Sequence, residues 1–280
     1  MSRSRCLFAL VLLLSVTPPA VAHASNAEVD LIGTPDLVVR QDMLGGQWLV
    51  REEFLPATFC SVQEGNVTPG DRVLLRFTVG IANVGDADIA IGDPQAHIDA
   101  NDGLFEFATC HRHFHFRNYA TYELIDPATG KVWRAAKRGF CMLDTDPNPA
   151  SLGEPPRTWI FRNCGAVGIP GNQGISHGWT DTYRWKLGGQ YFVLDGGDGQ
   201  QPVPPGTYVI RITANPPYKG SGKNPCRFLD PATGECHALQ ESNYANNVAE
   251  VTINIPDHPG RGGVGPLKDE PAITEENPEP

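Results

Sequence analysis

From Val73 to Ile81 the chain alternates apolar side chains (Val73, Leu75, Phe77, Val79, Ile81) with Arg76, Thr78 and Gly80. A period of two puts one set on each side of an extended backbone, so the stretch reads as a strand with one buried and one solvated face. The same pattern marks strands at residues 36–40, 48–54, 89–91, 114–124, 157–161, 208–214 and 249–255. Glycine and proline supply 30 and 25 of the 280 residues, spaced too closely for long helices and well suited to turns between short strands. A helical bundle is excluded. The pattern predicts a mostly β fold, an antiparallel β-sandwich-like single domain with long irregular loops around residues 92–110, 144–156 and 164–182.

The two ends differ from this middle. Arg3 and Arg5 precede an apolar run over residues 7–16, Pro18 and Pro19 follow, and Ala22-His23-Ala24 forms a small-residue cleavage site. Residues 1–24 thus read as a secretory signal peptide, leaving a folded domain over residues 30–256 and predicting a secreted or extracytoplasmic protein. The apolar run falls well short of the roughly 20 residues that cross a bilayer, so no transmembrane segment is expected. Residues 257–280 hold six acids against Arg261 and Lys268 and no aromatic residue, a composition that predicts a disordered acidic tail. The formal net charge is -10 with no basic run, which excludes nucleic acid as a partner and favours cationic ones.

Export governs how the cysteines are read. Cys6 leaves with the signal, and Cys60, Cys110, Cys141, Cys164, Cys226 and Cys236 form an even set, predicting three disulfides. Cys226 and Cys236 flank the turn-rich Asp230-Pro231-Ala232-Thr233-Gly234 and pair with each other, while the other four stay open at this point. None is spaced C-x-x-C, so a thiolate zinc site or a thioredoxin-like motif has no support.

Three of the eight histidines fall in the run Cys110-His111-Arg112-His113-Phe114-His115. On an extended strand, alternate residues share a face at a spacing of about 6.5 to 7 Å, so with modest twist three imidazoles converge on one ion. Copper, zinc, nickel and iron all accept such a donor set. The plainer alternative is three polar residues on one exposed strand face.

The run from Thr109 to His115 resembles the copper-binding C-H-x-H-x-H segment of the lysyl oxidases. Downstream, Ala136-Lys137-Arg138-Gly139-Phe140-Cys141-Met142-Leu143-Asp144 is similar to that family's G-x-K-x-x-F-C-L-x-D, and Gln173-Gly174-Ile175-Ser176 with Asp181-Thr182-Tyr183 to its Q-G-[LI]-S and D-T-Y stretches. Pro205-Gly206-Thr207-Tyr208-Val209-Ile210 and Glu241-Ser242-Asn243-Tyr244-Ala245-Asn246-Asn247-Val248 match two further segments, so the likeness runs in order from about residue 36 to 255.

The resemblance implies a copper-dependent amine oxidase of the protein-lysine 6-oxidase type. Its cofactors would be copper, on His111, His113 and His115, and a lysine tyrosylquinone built from Lys137 and Tyr183. Its partners would be O₂ and a primary amine or lysine-rich polypeptide, giving an aldehyde, ammonia and hydrogen peroxide. No encoded side chain is itself a good electrophile for amines, so a quinone made from tyrosine meets a chemical need. Asp181 lies two residues before Tyr183, on the same side of an extended segment, and is the candidate base for the substrate's α-proton. An ordinary loop aspartate would instead accept backbone hydrogen bonds. His177 falls on no family ligand position. The family pattern suggests Cys110 with Cys164, and pairing Cys60 with Cys141 then satisfies two cysteines whose local family partners are missing here. Ala136 stands where the animal enzymes have histidine, and Asn66-Val67-Thr68 is formally a glycosylation sequon followed by Pro69. Two other classes compete: a non-catalytic copper-binding β-sandwich module for adhesion or metal sequestration, and a zinc hydrolase, which lacks any accompanying general-base motif.

Overall fold

The computed structural model describes residues 33–65, 67–137, 139–148, 159–222 and 224–273. The expected signal peptide and Asn66 of the sequon lie outside the described residues. The chain opens with β1 (Leu37–Val39), α1 (Gln41–Gly46), β2 (Trp48–Leu55), α2 (Cys60–Gly65), β3 (Gly70–Phe77) and β4 (Val79–Asn83). It continues through β5 (Ile89–Gly92), α3 (Pro94–Ala100), β6 (Phe105–Ala108), β7 (His113–Phe116), β8 (Ala120–Ile125), β9 (Val132–Arg134) and β10 (Asp146–Pro147). After these come β11 (Gln173–Ile175), β12 (Trp179–Tyr183), β13 (Tyr191–Val193), β14 (Gly206–Ala214), β15 (Phe228–Leu229), β16 (Cys236–His237) and β17 (Val248–Ile255).

The pairings are antiparallel throughout the described strands. One sheet runs β1-β4-β12-β10, a second β13-β3-β2 and a third β17-β14-β8-β9. In the third, Gly206 pairs with Ile255 and Thr213 with Val248, and this register puts Tyr208, Ile210 and Ile212 on one face of β14. Those side chains share one continuous core with Val79 and Ile81 of β4 and Phe77 of β3. Burying each such side chain contributes about 1.5 to 3 kcal/mol, and the sandwich character comes from this shared core.

The alternating run over residues 73–81 is two strands. Its inward residues stay on one core, but the chain changes sheets at Thr78, whose N–H donates to Gln47 and whose hydroxyl accepts the Trp185 N–H. The stretch 114–124 is also split, by a turn in which Asn118 takes the left-handed region at φ 58°. Residues 159–161 form no strand, and the loops expected around 92–110 and 164–182 contain α3, β6, β11 and β12. These strands are too short for periodicity to reveal. The composition of residues 257–280 argues for disorder, yet the chain to residue 273 lies along β2: Val264 bridges Val50, and Ile273 is buried. Residues 274–280 lie outside the described set.

Two expected disulfides are corrected. Cys226 does join Cys236, but Cys60 joins Cys110 and Cys141 joins Cys164, with Cα separations of 5.4 and 5.5 Å. Cys60 opens α2, which docks on the turn carrying Cys110. Cys141 follows the Phe140 that bridges to Phe116 of β7, bringing it beside the loop of Cys164. The family pattern takes Cys110 for Cys164 and leaves Cys60 and Cys141 to each other, whereas tertiary docking sets α2 against the Cys110 turn and the Phe140 segment against the Cys164 loop.

Candidate functional site

The histidine run is a hairpin rather than one strand. β6 and β7 pair from Phe105 opposite Phe116 to Ala108 opposite His113, and residues 109–112 turn between them. Arg112 closes the turn in the left-handed region at φ 63°, its N–H donating to the Ala108 carbonyl at 2.7 Å. His113 and His115 therefore share a face of β7, as alternation requires, while His111 joins them from the turn. The ring centroids lie 4.9 to 5.6 Å apart, and Nε2 of His113 is 3.0 Å from Nε2 of His115.

Burial pushes His111 and His113 down to about 4 and His115 to about 3. The positive charge of Lys137 adds to the depression at all three rings, while Glu64 opposes it. The imidazoles are thus neutral near pH 7, the form that offers a lone pair to a metal. Among the described residues no three ligands already stand round one common point. The paired Nε2 atoms and the soft rotation of a histidine ring still make this donor set fit a copper ion.

A glycine makes the crowding possible. A Cβ added to Gly139 would fall 2.2 Å from His115 Nδ1, so the glycine two residues after Lys137 is what lets the ring lie against that segment.

Lys137 and Tyr183 meet. Nζ of Lys137 lies 4.8 Å from the centroid of the Tyr183 ring and 5.3 Å from that of Phe140. Tyr183 ends β12, is buried, and donates its hydroxyl to the Cys141 carbonyl at 2.8 Å. Asp181 shares that face of β12 and is 1% exposed, within interaction range of the Tyr119 and Tyr183 hydroxyls. Burial holds its carboxyl well above the usual range, against the opposing pull of the two nearby hydroxyls and the Lys137 charge. Asp181 Oδ2 and the hydroxyls of Tyr119 and Tyr122 are out of contact with solvent and lack an aligned partner. Polar capacity is therefore spare around the Tyr183 ring, which fits a ring that gains further oxygens. Beside Lys137 opens a cleft of about 420 Å³ lined by Glu64, Glu106, His111, His115, Lys137 and Gly189, with Tyr183 and Asp181 buried behind it.

A family model described as lysyl oxidase matches residues 35–224, most of the described chain. The chain belongs to the lysyl oxidase family. That family consists of copper amine oxidases, which typically use copper and lysine tyrosylquinone. The chain is 28% identical over 235 residues to lysyl oxidase homolog 1 of Homo sapiens, covering 79% of this chain and 33% of that protein. Against protein-lysine 6-oxidase of Gallus gallus the identity is 24% over 238 residues, covering 81% of this chain and 46% of that one. Lysyl oxidase homolog 2 of Bos taurus is 26% identical over 234 residues, with 80% and 25% covered. The chain thus spans less than half the length of these relatives.

Other motif residues of the family have structural roles. Gln173 knits the site together: its amide donates to the Phe114 and Cys164 carbonyls and accepts the Met142 N–H. Asp144 accepts the N–H groups of Ile160, Phe161 and Ser176 and the Ser176 hydroxyl. His177 lies away from the cleft, bonded through Nδ1 to the Gly85 carbonyl. His97 is held by Asp102 and the Ile91 carbonyl, and His237 by the Asn215 carbonyl.

Sequence reasoning missed Glu64 and Tyr119. Glu64 lies four residues after Cys60, a spacing that signals a shared face only once α2 is known to be helical.

Proposed function

We propose that this chain is a secreted copper amine oxidase that joins Lys137 to Tyr183 and oxidises primary amines, foremost peptidyl lysine, to aldehydes with release of ammonia and hydrogen peroxide. The observation that carries the reading is the Lys137 amine over the buried Tyr183 ring, next to three neutral imidazoles. A binding module has no need of that pair. His111, His113 and His115 would hold copper, which with the quinone supplies an electrophilic carbonyl and a two-electron sink for the amine. The protein's own contributions are positional. The Cys141 carbonyl fixes the Tyr183 hydroxyl, and Gly189, at φ 71°, lets the next segment pass within van der Waals contact of the Lys137 backbone. Glu64 and Glu106 line the cleft and draw a cationic amine toward it. Asp181, whose burial raises its affinity for a proton, is suited to accept one from the carbon bearing the amine. Three disulfides agree with an oxidising compartment.

Peptide mapping of copper-loaded, aerated protein tests the reading. A cross-linked peptide containing Lys137 and Tyr183, together with amine-dependent peroxide release, is expected. Recovery of the two residues on separate unmodified peptides overturns it.

A further inference from the structure

We infer that Glu64 is a positioning residue for the copper site, holding His111 in the tautomer that presents Nε2 to the ion; this rests on the copper reading above. Glu64 Oε2 lies 2.9 Å from His111 Nδ1, and Oε1 accepts the Cys110 N–H at 2.5 Å. One carboxylate thus grips two consecutive residues of the turn. Its own place is fixed by the Cys60–Cys110 disulfide, because Cys60 and Glu64 are one helical turn apart in α2 and so face the same hairpin.

A neutral imidazole carries one proton. Beside a carboxylate that proton is held on Nδ1, which leaves the Nε2 lone pair free. The contact is close but not aligned with the ring N–H, so the bond that the inference requires needs a rotation about the soft χ2 torsion. His113 and His115 already turn their Nε2 atoms toward each other, so this tautomer gives all three rings the same ligating atom. An acidic group facing a ligand's outer nitrogen also makes the inner nitrogen a better donor.

The first test uses the unaltered apo-protein: ¹⁵N chemical shifts of the histidine rings should report His111 protonated on Nδ1 and bare on Nε2. The opposite tautomer overturns the inference. The second is copper(II) affinity by competition with a chelator, read with the electron paramagnetic resonance spectrum. Glu64→Gln keeps an oxygen for the Cys110 N–H but removes the carboxylate from Nδ1. It should weaken copper binding about 10- to 100-fold while leaving the apo-protein's melting temperature in place. In a His111→Ala background the same change should have no further effect. A further loss there would make Glu64 an independent ligand and overturn the positioning role. If His111→Ala weakens copper binding and Glu64→Gln does not, only this inference falls. If His111→Ala leaves binding intact, the copper reading itself falls.

Discussion

At Gly139 a single hydrogen in place of a methyl group decides whether His115 can lie against the Lys137 segment. A Cβ there would lie 2.2 Å from His115 Nδ1 and 2.7 Å from His115 Cβ, so neither ring rotation nor a small shift relieves the overlap. Gly139→Ala is expected to displace His115 and cut copper occupancy after dialysis by at least tenfold, with a stability loss of about 1 to 3 kcal/mol; elemental analysis that finds full occupancy would refute the steric account. Tyr183→Phe separates chemistry from structure. It removes the hydroxyl donated to the Cys141 carbonyl, costing about 1 to 2 kcal/mol because a buried acceptor loses its partner. Copper binding should persist and amine-dependent peroxide release should vanish, as measured by chelator competition and a peroxide assay. That the three histidines cluster and that Lys137 meets Tyr183 was legible in the sequence, because residue type and spacing set them in motif frames. Glu64 and Tyr119 were not, because a glutamate in a helix and a tyrosine in an apolar run gain meaning only from what the fold sets opposite them.

Among the elements, the β6–β7 hairpin and α2 act as one unit because Cys60–Cys110 ties them across a separation of 50 residues. In the chain-entropy account a loop of that length contributes about 4 kcal/mol, and the 23-residue separation of Cys141–Cys164 about 3 kcal/mol. Replacing Cys60 and Cys110 together by serine should therefore lower the denaturation midpoint, and lower copper affinity as well, since the turn carrying His111 is released. The Cys226 and Cys236 pair closes a loop that does not line the cleft, and its removal should leave affinity unchanged. Equal effects of the two double variants on copper affinity would show that the first disulfide has no special hold on the site. The element scale is where sequence reading stopped short. Alternation correctly located β2, β3, β4, β14 and β17, whose buried faces run for several residues. It could not see that the chain changes sheets at Thr78, because inward-facing residues continue unbroken across the switch. Nor could it place His111 in a turn, since a left-handed Arg112 has no signature in side-chain polarity.

Across the whole molecule, a buried ion cluster holds the C-terminal segment, and that segment packs against α2 and the neighbour of Lys137. Glu53 on β2 lies 2.8 Å from Arg51 and 2.6 Å from Arg76, all three almost wholly buried. Arg51 also donates to the carbonyls of Glu270 and Pro271. Leu267 and Ile273 of that segment pack in a second core with Phe59 and Val62, which flank and belong to α2, and with Ala136, the neighbour of Lys137. Burial alone would raise the Glu53 pKa, but the charges and hydrogen bonds of Arg76 and Arg51 outweigh it and hold the carboxyl below its ordinary 4.5. A carboxyl lowered in the folded state contributes stability that is present above pH 4.5 and lost as pH falls through the folded value. Protonation then leaves two buried guanidinium groups unpaired, so residues 257–273 should loosen first and carry α2 and the Lys137 segment with them. Hydrogen exchange should show these amides losing protection below about pH 4.5, ahead of β14 and β17. Copper should be released over the same range. Glu53→Gln should flatten that acid dependence and cost about 3 to 5 kcal/mol at neutral pH, because the two arginines stay buried without their anion. If instead residues 257–273 keep their protection until the β14–β17 pair opens, the cluster stabilises the fold as a whole and the C-terminal segment has no separate hold on the cleft.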